Sequence, residues 1–417
     1  MINQTDLPVF HGDGYYNLER RPRIVALFGA RVFFGQERAN VEALAALYDQ
    51  GCEILCAVRN EPWPELVALR AELAARNLAW KKFHYIDIPR KGWIVKTVLR
   101  NPYAFVRANL QMFNTIRSFH ATHVHAFNQL YVLNFFPALA LCRVPLIYRS
   151  GDEPAQHNLV WRAIWNYVRR RTNHFVADSN FIRDRLVACK VGSKKISVIY
   201  SPAPQRPIAR PVQIPPVTRS DGAFRFVYAG QLTREKGIDI LIEAFRQLSK
   251  CESPHLLVAG RISDWSGDDL ARELRDTVVS DPDLCNRVHF LGWIDNVPDL
   301  MRQCHVHVCP SVWEEPYGLV TVEAKVAGIP SIVFPSGGLK ELINHGVNGW
   351  ITKSKTSQEL SRAMAHYATH PKFAEEQGRN ARSSLDSLEL GSFSQRWFNV
   401  YRNAREPVSK LNAFALD

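Results

Sequence analysis

The chain has no apolar run near the roughly 18 residues that a membrane-spanning helix needs, so no such helix is expected. Met1 to Arg20 is polar and has no apolar stretch of the kind a secretory leader carries. The eight cysteines show neither the close pairing of a small disulfide framework nor a Cys-x2-Cys metal pair. Reduced thiols in the cytoplasm are the expectation. Cys304, His305, His307 and Cys309 are close together, but on a strand Cys304 faces away from the other three. They read as one buried strand rather than a zinc site, and no metal is expected. There is no short-period repeat, and no helix-turn-helix, zinc-finger or RNA-recognition signature. Nucleic acid is therefore not expected as a partner.

What is present is positive charge, unevenly placed. The 417 residues carry a net charge of +12. Residues 1–205 hold 27 Lys and Arg against 15 Asp and Glu, a surplus of 12 that equals the whole. Three readings of this basic half stay open: a solvated surface, an anionic membrane surface, or nucleic acid despite the missing signatures. Arg90, Lys91, Trp93, Ile94, Val95, Lys96, Val98, Leu99 and Arg100, followed by Tyr103, Phe105 and Arg107, form a basic and aromatic stretch. Such a stretch suits a membrane interface or an amphipathic helix packed on a sheet.

Short apolar runs alternate with helical patterns along the chain. Strands are expected at Arg23–Gly29, Cys52–Val58, His84–Ile88, Thr122–Phe127, Pro145–Arg149, His174–Asp178 and Ile196–Ser201. Pro202, Pro204, Pro207, Pro211, Pro215 and Pro216 then crowd one short span, which reads as a stiff linker. Beyond it the alternation resumes, with strands at Phe224–Ala229, His255–Ala259, Arg287–Leu291, His305–Cys309 and Ser331–Phe334. This pattern predicts two parallel α/β sheets, each covered on both faces. The expected boundaries are 1–205, a linker at 206–220, 221–388, and a last helix within 389–417. Ligands are expected in the crevice at the carboxyl ends of the strands, between the lobes. His125 and Asn128, at one strand end, are candidates to line it.

Two loops carry the strongest chemical signal. Cys309-Pro310-Ser311-Val312-Trp313-Glu314-Glu315-Pro316-Tyr317-Gly318 leaves a buried strand and enters a helix at Leu319-Val320-Thr321-Val322-Glu323. A helix N-terminus reached this way offers free N–H groups to an anion. Glu315 and Glu323 bracket it with seven residues between them. Amides between two acceptor carboxylates suit a ligand with an anionic centre and hydroxyls on both sides. Ala229-Gly230-Gln231-Leu232-Thr233-Arg234-Glu235-Lys236-Gly237 repeats the strand-to-helix layout and supplies a cation at Lys236.

The first loop resembles the Glu-x7-Glu signature of family 4 retaining glycosyltransferases of the GT-B fold. The resemblance extends through Pro310-Ser311, Gly318-Leu319-Val320, Glu323-Ala324, Gly328-Ile329-Pro330, Gly337-Gly338 with Glu341, and Gly346, Asn348 and Gly349. It implies two Rossmann-like domains across a cleft and a C-terminal helix, Ser392–Ala404, returning to the first domain. It also implies transfer of a sugar, with retained configuration and no metal, from a nucleotide diphosphate sugar to a glycan or lipid-linked acceptor. Cell-surface polysaccharide or lipopolysaccharide synthesis at the inner face of the plasma membrane would fit. Carried over by position, Glu323 would bind ribose hydroxyls and Glu315 the donor sugar. The amides of Gly318, Leu319 and Val320 would face sugar and diphosphate, and Lys236 would stabilise the departing pyrophosphate.

There are departures. Gln231 stands where the family has Arg, so a charge is missing; either Arg234 substitutes or Lys236 and backbone hold the diphosphate. Gly35-Gln36-Glu37 occupies the glycine loop, but Phe34 replaces its first glycine. His305 stands where the family commonly has Asp. No His follows the strand at Pro145–Arg149, where Asp152 either binds acceptor or caps a helix. The alternatives kept open are a phosphorylase or phosphosugar synthase on the same fold, a scaffold without catalysis, and a non-enzymatic nucleic-acid-binding protein.

Overall fold

The computed structural model describes residues 21–31, 33–87, 101–202, 212–215, 223–248, 254–260, 270–388 and 392–404. The N-terminal sheet contains β1 (Arg23–Phe28), β2 (Glu53–Arg59), β3 (Ala79–Phe83), β4 (His123–Ala126), β5 (Leu146–Ser150), β6 (His174–Ala177) and β7 (Ile196–Val198). Every pairing is parallel, in the order β3-β2-β1-β4-β5-β6-β7. The second sheet contains β8 (Arg225–Ala229), β9 (His255–Ala259), β10 (Val288–Gly292), β11 (Val306–Cys309), β12 (Ser331–Val333) and β13 (Gly349–Ile351). It too is all parallel, in the order β10-β9-β8-β11-β12-β13. Parallel strands need covered faces, so the central strands are mostly apolar, with the buried imidazoles of His123 and His125 on β4 and His307 on β11 as exceptions. Ile24 to Phe28 of β1 are fully buried, as are Phe226 and Val227 of β8.

Strand order reverses at β1/β4 in the first sheet and at β8/β11 in the second. Helices leaving two such strands go to opposite faces, and a crevice opens between them. The loops after β8 and β11 therefore enter the crevice of the second domain together. Both are the loops singled out by sequence.

One strand lies elsewhere than expected. The edge strand is Ala79–Phe83, and His84 to Asp87 have left the sheet. Ala79, Lys81 and Lys82 of that strand face solvent, so its apolar signal is weak. Ile86 instead gives its N–H to Asn134 Oδ1 (2.7 Å) and accepts from Asn134 Nδ2 (3.2 Å). Of the expected linker at 206–220 only residues 212–215 are described, and they lie on the second domain. Ile214 is buried there, and Val212 N donates to Asp299 Oδ2 (2.7 Å). The basic stretch at 90–100 lies outside the described residues. Tyr103, Phe105 and Arg107 fall on the helix Pro102–Ser118, which leaves Tyr103, Val106 and Leu110 exposed. Among the described residues no helix is long and apolar enough to cross a membrane.

The last helix, Phe393–Asn403, packs into the N-terminal core rather than the domain that precedes it. Phe393, Trp397, Val400 and Tyr401 recur at helical spacing and are buried there. Tyr401 Oη lies 2.6 Å from His125 Nδ1, and His125 Nε2 lies 2.8 Å from Asn40 Oδ1. His125 is thus a core residue and does not line the cleft; burial pushes its imidazole down to about 3. Asn128 caps the helix Gln129–Asn134 through its side chain.

The two domains also meet through Glu341. Its Oε2 accepts from Asn180 N (2.9 Å), Asn180 Nδ2 (3.1 Å) and Tyr200 Oη (2.7 Å), and its Oε1 from Phe181 N (2.6 Å). A carboxylate of one domain thereby caps the helix Asn180–Ala188 of the other, where charge and helix dipole agree.

Because Trp397 belongs to the N-terminal core, Trp397→Ala should cost about 3–5 kcal/mol. Denaturant unfolding monitored in the N-terminal domain would show it as a lowered midpoint. A loss comparable with that of the exposed Val187→Ala would contradict this placement of the helix.

Candidate active site

Pro310 ends β11, and the chain then runs as a loop to Gly318, the N-cap of the helix Leu319–Ala327. Three neighbours hold this loop. From the β8 side, the Glu235 carbonyl accepts from Val312 N (2.9 Å), Trp313 N (3.0 Å) and Ser311 Oγ (3.2 Å). From the β12 side, Ser336 Oγ donates to the Ser311 carbonyl (2.5 Å) and Gly338 N to the Glu315 carbonyl (2.7 Å). Glu314 accepts from Gly337 N (2.6 Å) and from Lys355 Nζ (2.7 Å). Glu314 is therefore part of the loop's frame, and the adjacent Glu315 is left to face the cleft.

Two glycines permit this close fit. Gly237 has φ +69°, and a Cβ there would lie 2.0 Å from the Pro310 carbonyl oxygen. Gly337 has φ +47°, and its Cβ would lie 2.2 Å from the Glu315 carbonyl oxygen. Any side chain at either place would push the loop aside and strain the backbone.

The loop after β8 ends in the single turn Arg234–Lys236. That turn aims Lys236 across to Glu315, with Nζ 2.5 Å from Oε1. Glu315 is 8% exposed. Burial alone would push the Lys236 ammonium down, but the Glu315 carboxylate outweighs it and holds the amine above its ordinary value. Beside the pair, the helix opens with Leu319 and Val320, whose first-turn amides have no intrahelical carbonyl to reach. Glu323 follows one turn later, half-buried and lining the same cleft.

The cleft has a volume of 460 Å³ and is walled by both domains. Gln231, Lys236, Glu315, Gly318, Leu319, Val320 and Glu323 line one side, and Gly35 the other, so the structure brings all these sequence-selected residues together. Space around Gly35 Cα is open. The Gln231 carbonyl accepts from Tyr228 Oη (2.5 Å). Arg234 is not in the cleft: it is exposed and pairs with Glu273 (3.1 Å) and Asp239 (3.4 Å). It does not replace the charge missing at Gln231. His305 faces away as well, stacked on Phe224 at 4.7 Å, and its Nδ1 accepts from Arg225 N (3.0 Å).

A cation does enter the cleft from the N-terminal wall. Arg149, at the end of β5, is 1% exposed. Its Nη2 pairs with Asp178 Oδ1 (2.8 Å) and donates to Ser201 Oγ (3.0 Å), while Nε and Nη1 have no hydrogen-bond partner among the described residues. The sequence does not single out this residue, because one charged position at the end of an apolar strand breaks no pattern. Asp152 lines the cleft three residues on. It caps no helix, since the next one begins at Leu159 and is capped by Asn158. Behind this wall Glu37 is buried and accepts from Phe34 N (3.2 Å).

Burial raises Glu37 from 4.5 to about 7. Folding thus favours its protonated form. The stabilisation is complete below 4.5 and is lost as pH rises through about 7, roughly 3 kcal/mol in all. Glu37→Gln keeps the side chain neutral, so the variant should gain on wild type between about pH 5 and about pH 8. Urea midpoints at the two pH values would check it; parallel profiles would contradict a buried carboxyl.

Residues 210–384 match the family model "Glycosyl transferases group 1". An uncharacterized glycosyltransferase of Methanocaldococcus jannaschii is 31% identical over 46% of this chain and 47% of its own length. The chain thus spans about half the length of such curated relatives. The glycogen synthase of Mycobacterium tuberculosis is 27% identical over 74% of this chain and 77% of its own. Among solved structures, Anabaena HepE in complex with UDP and glucose superposes with a TM-score of 0.74 at 19% identity, over 92% of this chain and all of that one. Residues 210–384 are thus similar to the group 1 glycosyl transferases, and the chain is built on the GT-B fold.

Proposed function

We propose that this protein is a metal-independent, retaining glycosyltransferase acting on a nucleotide diphosphate sugar. The observation that carries this reading is the convergence in one cleft of Lys236, Glu315, the Leu319 and Val320 amides, and Glu323. The HepE structure with UDP and glucose supports the ligand class. The diphosphate would lie over the helix start, where amides and dipole favour an anion. Lys236 would turn from Glu315 to the phosphate oxygens, leaving Glu315 to accept from hydroxyls of the sugar. Glu323 would accept from the ribose hydroxyls. Arg149, with three N–H groups unused among the described residues, supplies from the opposite wall the charge that Gln231 lacks.

The acceptor hydroxyl would attack the anomeric carbon on the face from which the diphosphate leaves. The carbon–oxygen bond to the phosphate breaks, and the hydroxyl proton passes to a leaving phosphate oxygen. Positive charge fixed at Lys236, at Arg149 and at the helix start stabilises that developing anion. The acceptor would enter from the N-terminal wall, past Gly35 and Asp152. A lipid-linked glycan at the inner face of the plasma membrane fits the exposed Tyr103, Val106 and Leu110 and the basic N-terminal half. Cell-surface polysaccharide or lipopolysaccharide synthesis is the corresponding role.

Incubation with UDP-, GDP- and ADP-sugars in EDTA should give sugar release or transfer from one of them. Lys236→Ala and Glu323→Ala should each lower kcat/KM by about 10²–10³-fold in folded protein, as loss of one fixed stabilising group does elsewhere. Near wild-type rates in both variants would end this reading. Turnover that requires inorganic phosphate would favour a phosphorylase.

A further inference from the structure

On the far side of the helix Leu319–Ala327 is a second cavity, of 410 Å³, remote from the cleft lining. Lys325 faces it from the helix's last turn and is 2% exposed. Among the described residues its ammonium has one hydrogen-bond partner, Ser384 Oγ at 2.6 Å, and forms no ion pair. That hydroxyl is neutral and itself donates to the Ala381 carbonyl. A buried ammonium with one neutral partner is costly unless something else balances its charge. Burial accordingly lowers it to about 8.

A second donor faces the same space. Asn348 is 5% exposed, and its Oδ1 accepts from Asn344 N (2.8 Å). Its Nδ2 makes no hydrogen bond among the described residues, although an amide nitrogen carries two donors. The carboxylate bordering the cavity, Glu341, does not serve Lys325. Both of its oxygens are taken by the four donors of the N-terminal domain described above. The cavity therefore presents a buried cation and, on a buried residue, an amide donor, with no anion among the described residues to receive them.

We propose that this cavity is a binding site for a small phosphate oxyanion, held by Lys325 Nζ and Asn348 Nδ2. The ion is either inorganic phosphate or the phosphate of a small monoester, for which 410 Å³ leaves room. Lys325 lies roughly 9 Å along the helix axis from Leu319, which borders the cleft. The site stands apart from the proposed transfer reaction and is tested without it.

The experiment measures binding of inorganic phosphate and of glycerol 3-phosphate to full-length protein by calorimetry, with sodium chloride at matched ionic strength as control. Lys236→Ala serves as background to remove phosphate binding in the cleft. In that background one or both probes should bind, and adding Lys325→Met should weaken the binding at least tenfold. Adding Asn348→Ala instead should weaken it several-fold, and it stands in if the Met variant does not fold. If neither probe binds in the Lys236→Ala background, or if binding survives both added substitutions, the site does not exist. Loss of transferase activity in Lys236→Ala has no bearing on either result.

Discussion

The contact between Lys236 and Glu315 joins the two loops that leave the neighbouring strands β8 and β11, at the point where the strand order of the second sheet turns back. Glu315 is largely withdrawn from water and Lys236 partly so. A pair of this kind contributes little net stability, because desolvation offsets most of the attraction. Its consequence is geometric. It holds a cation and a carboxylate over the open end of the helix Leu319–Ala327 before any ligand arrives. A ligand that supplies an anion to the cation and hydroxyls to the carboxylate can replace the pair without leaving either charge alone.

The rest of the molecule keeps that contact in place. Gly237 lets the β8 loop rest on the Pro310 carbonyl, and Gly337 lets the β12 loop close on the Glu315 carbonyl. Glu314 and Lys355 fix the loop from outside. Three residues beyond the Gly337-Gly338 pair, Glu341 caps a helix of the N-terminal domain. The segment that braces Glu315 is thus also the segment that sets the distance to the opposite wall, where Arg149 and Asp152 wait. The last helix adds a second tie, since its aromatic face completes the N-terminal core.

Much of this architecture is legible in the sequence alone. Central parallel strands are short apolar runs that end in glycine or proline, and β1, β8 and β11 stand out for that reason. The Pro310–Glu323 stretch is legible because its chemistry is local: carboxylates, glycine and helix start fall within one short segment. What is hidden depends on residues far apart in the chain. Arg149 meets Asp178 only because β5 pairs with β6. Glu341 is visible as a motif residue, yet its partners lie some 140 to 160 residues earlier. His125 reads as a strand end open to the cleft, but the returning helix covers it. Arg234 follows a turn whose direction sends it to the surface, and the edge strand β3 is masked by its own lysines.

The most direct measurement is a crystal structure of the chain with whichever of UDP, GDP or ADP it binds. The pyrophosphate oxygens should lie within about 3 Å of Lys236 Nζ and of the Leu319 or Val320 amide, with the Lys236–Glu315 contact opened. A nucleotide bound elsewhere, with that contact intact and the helix start bare, would contradict the assignment of this cleft to the sugar donor.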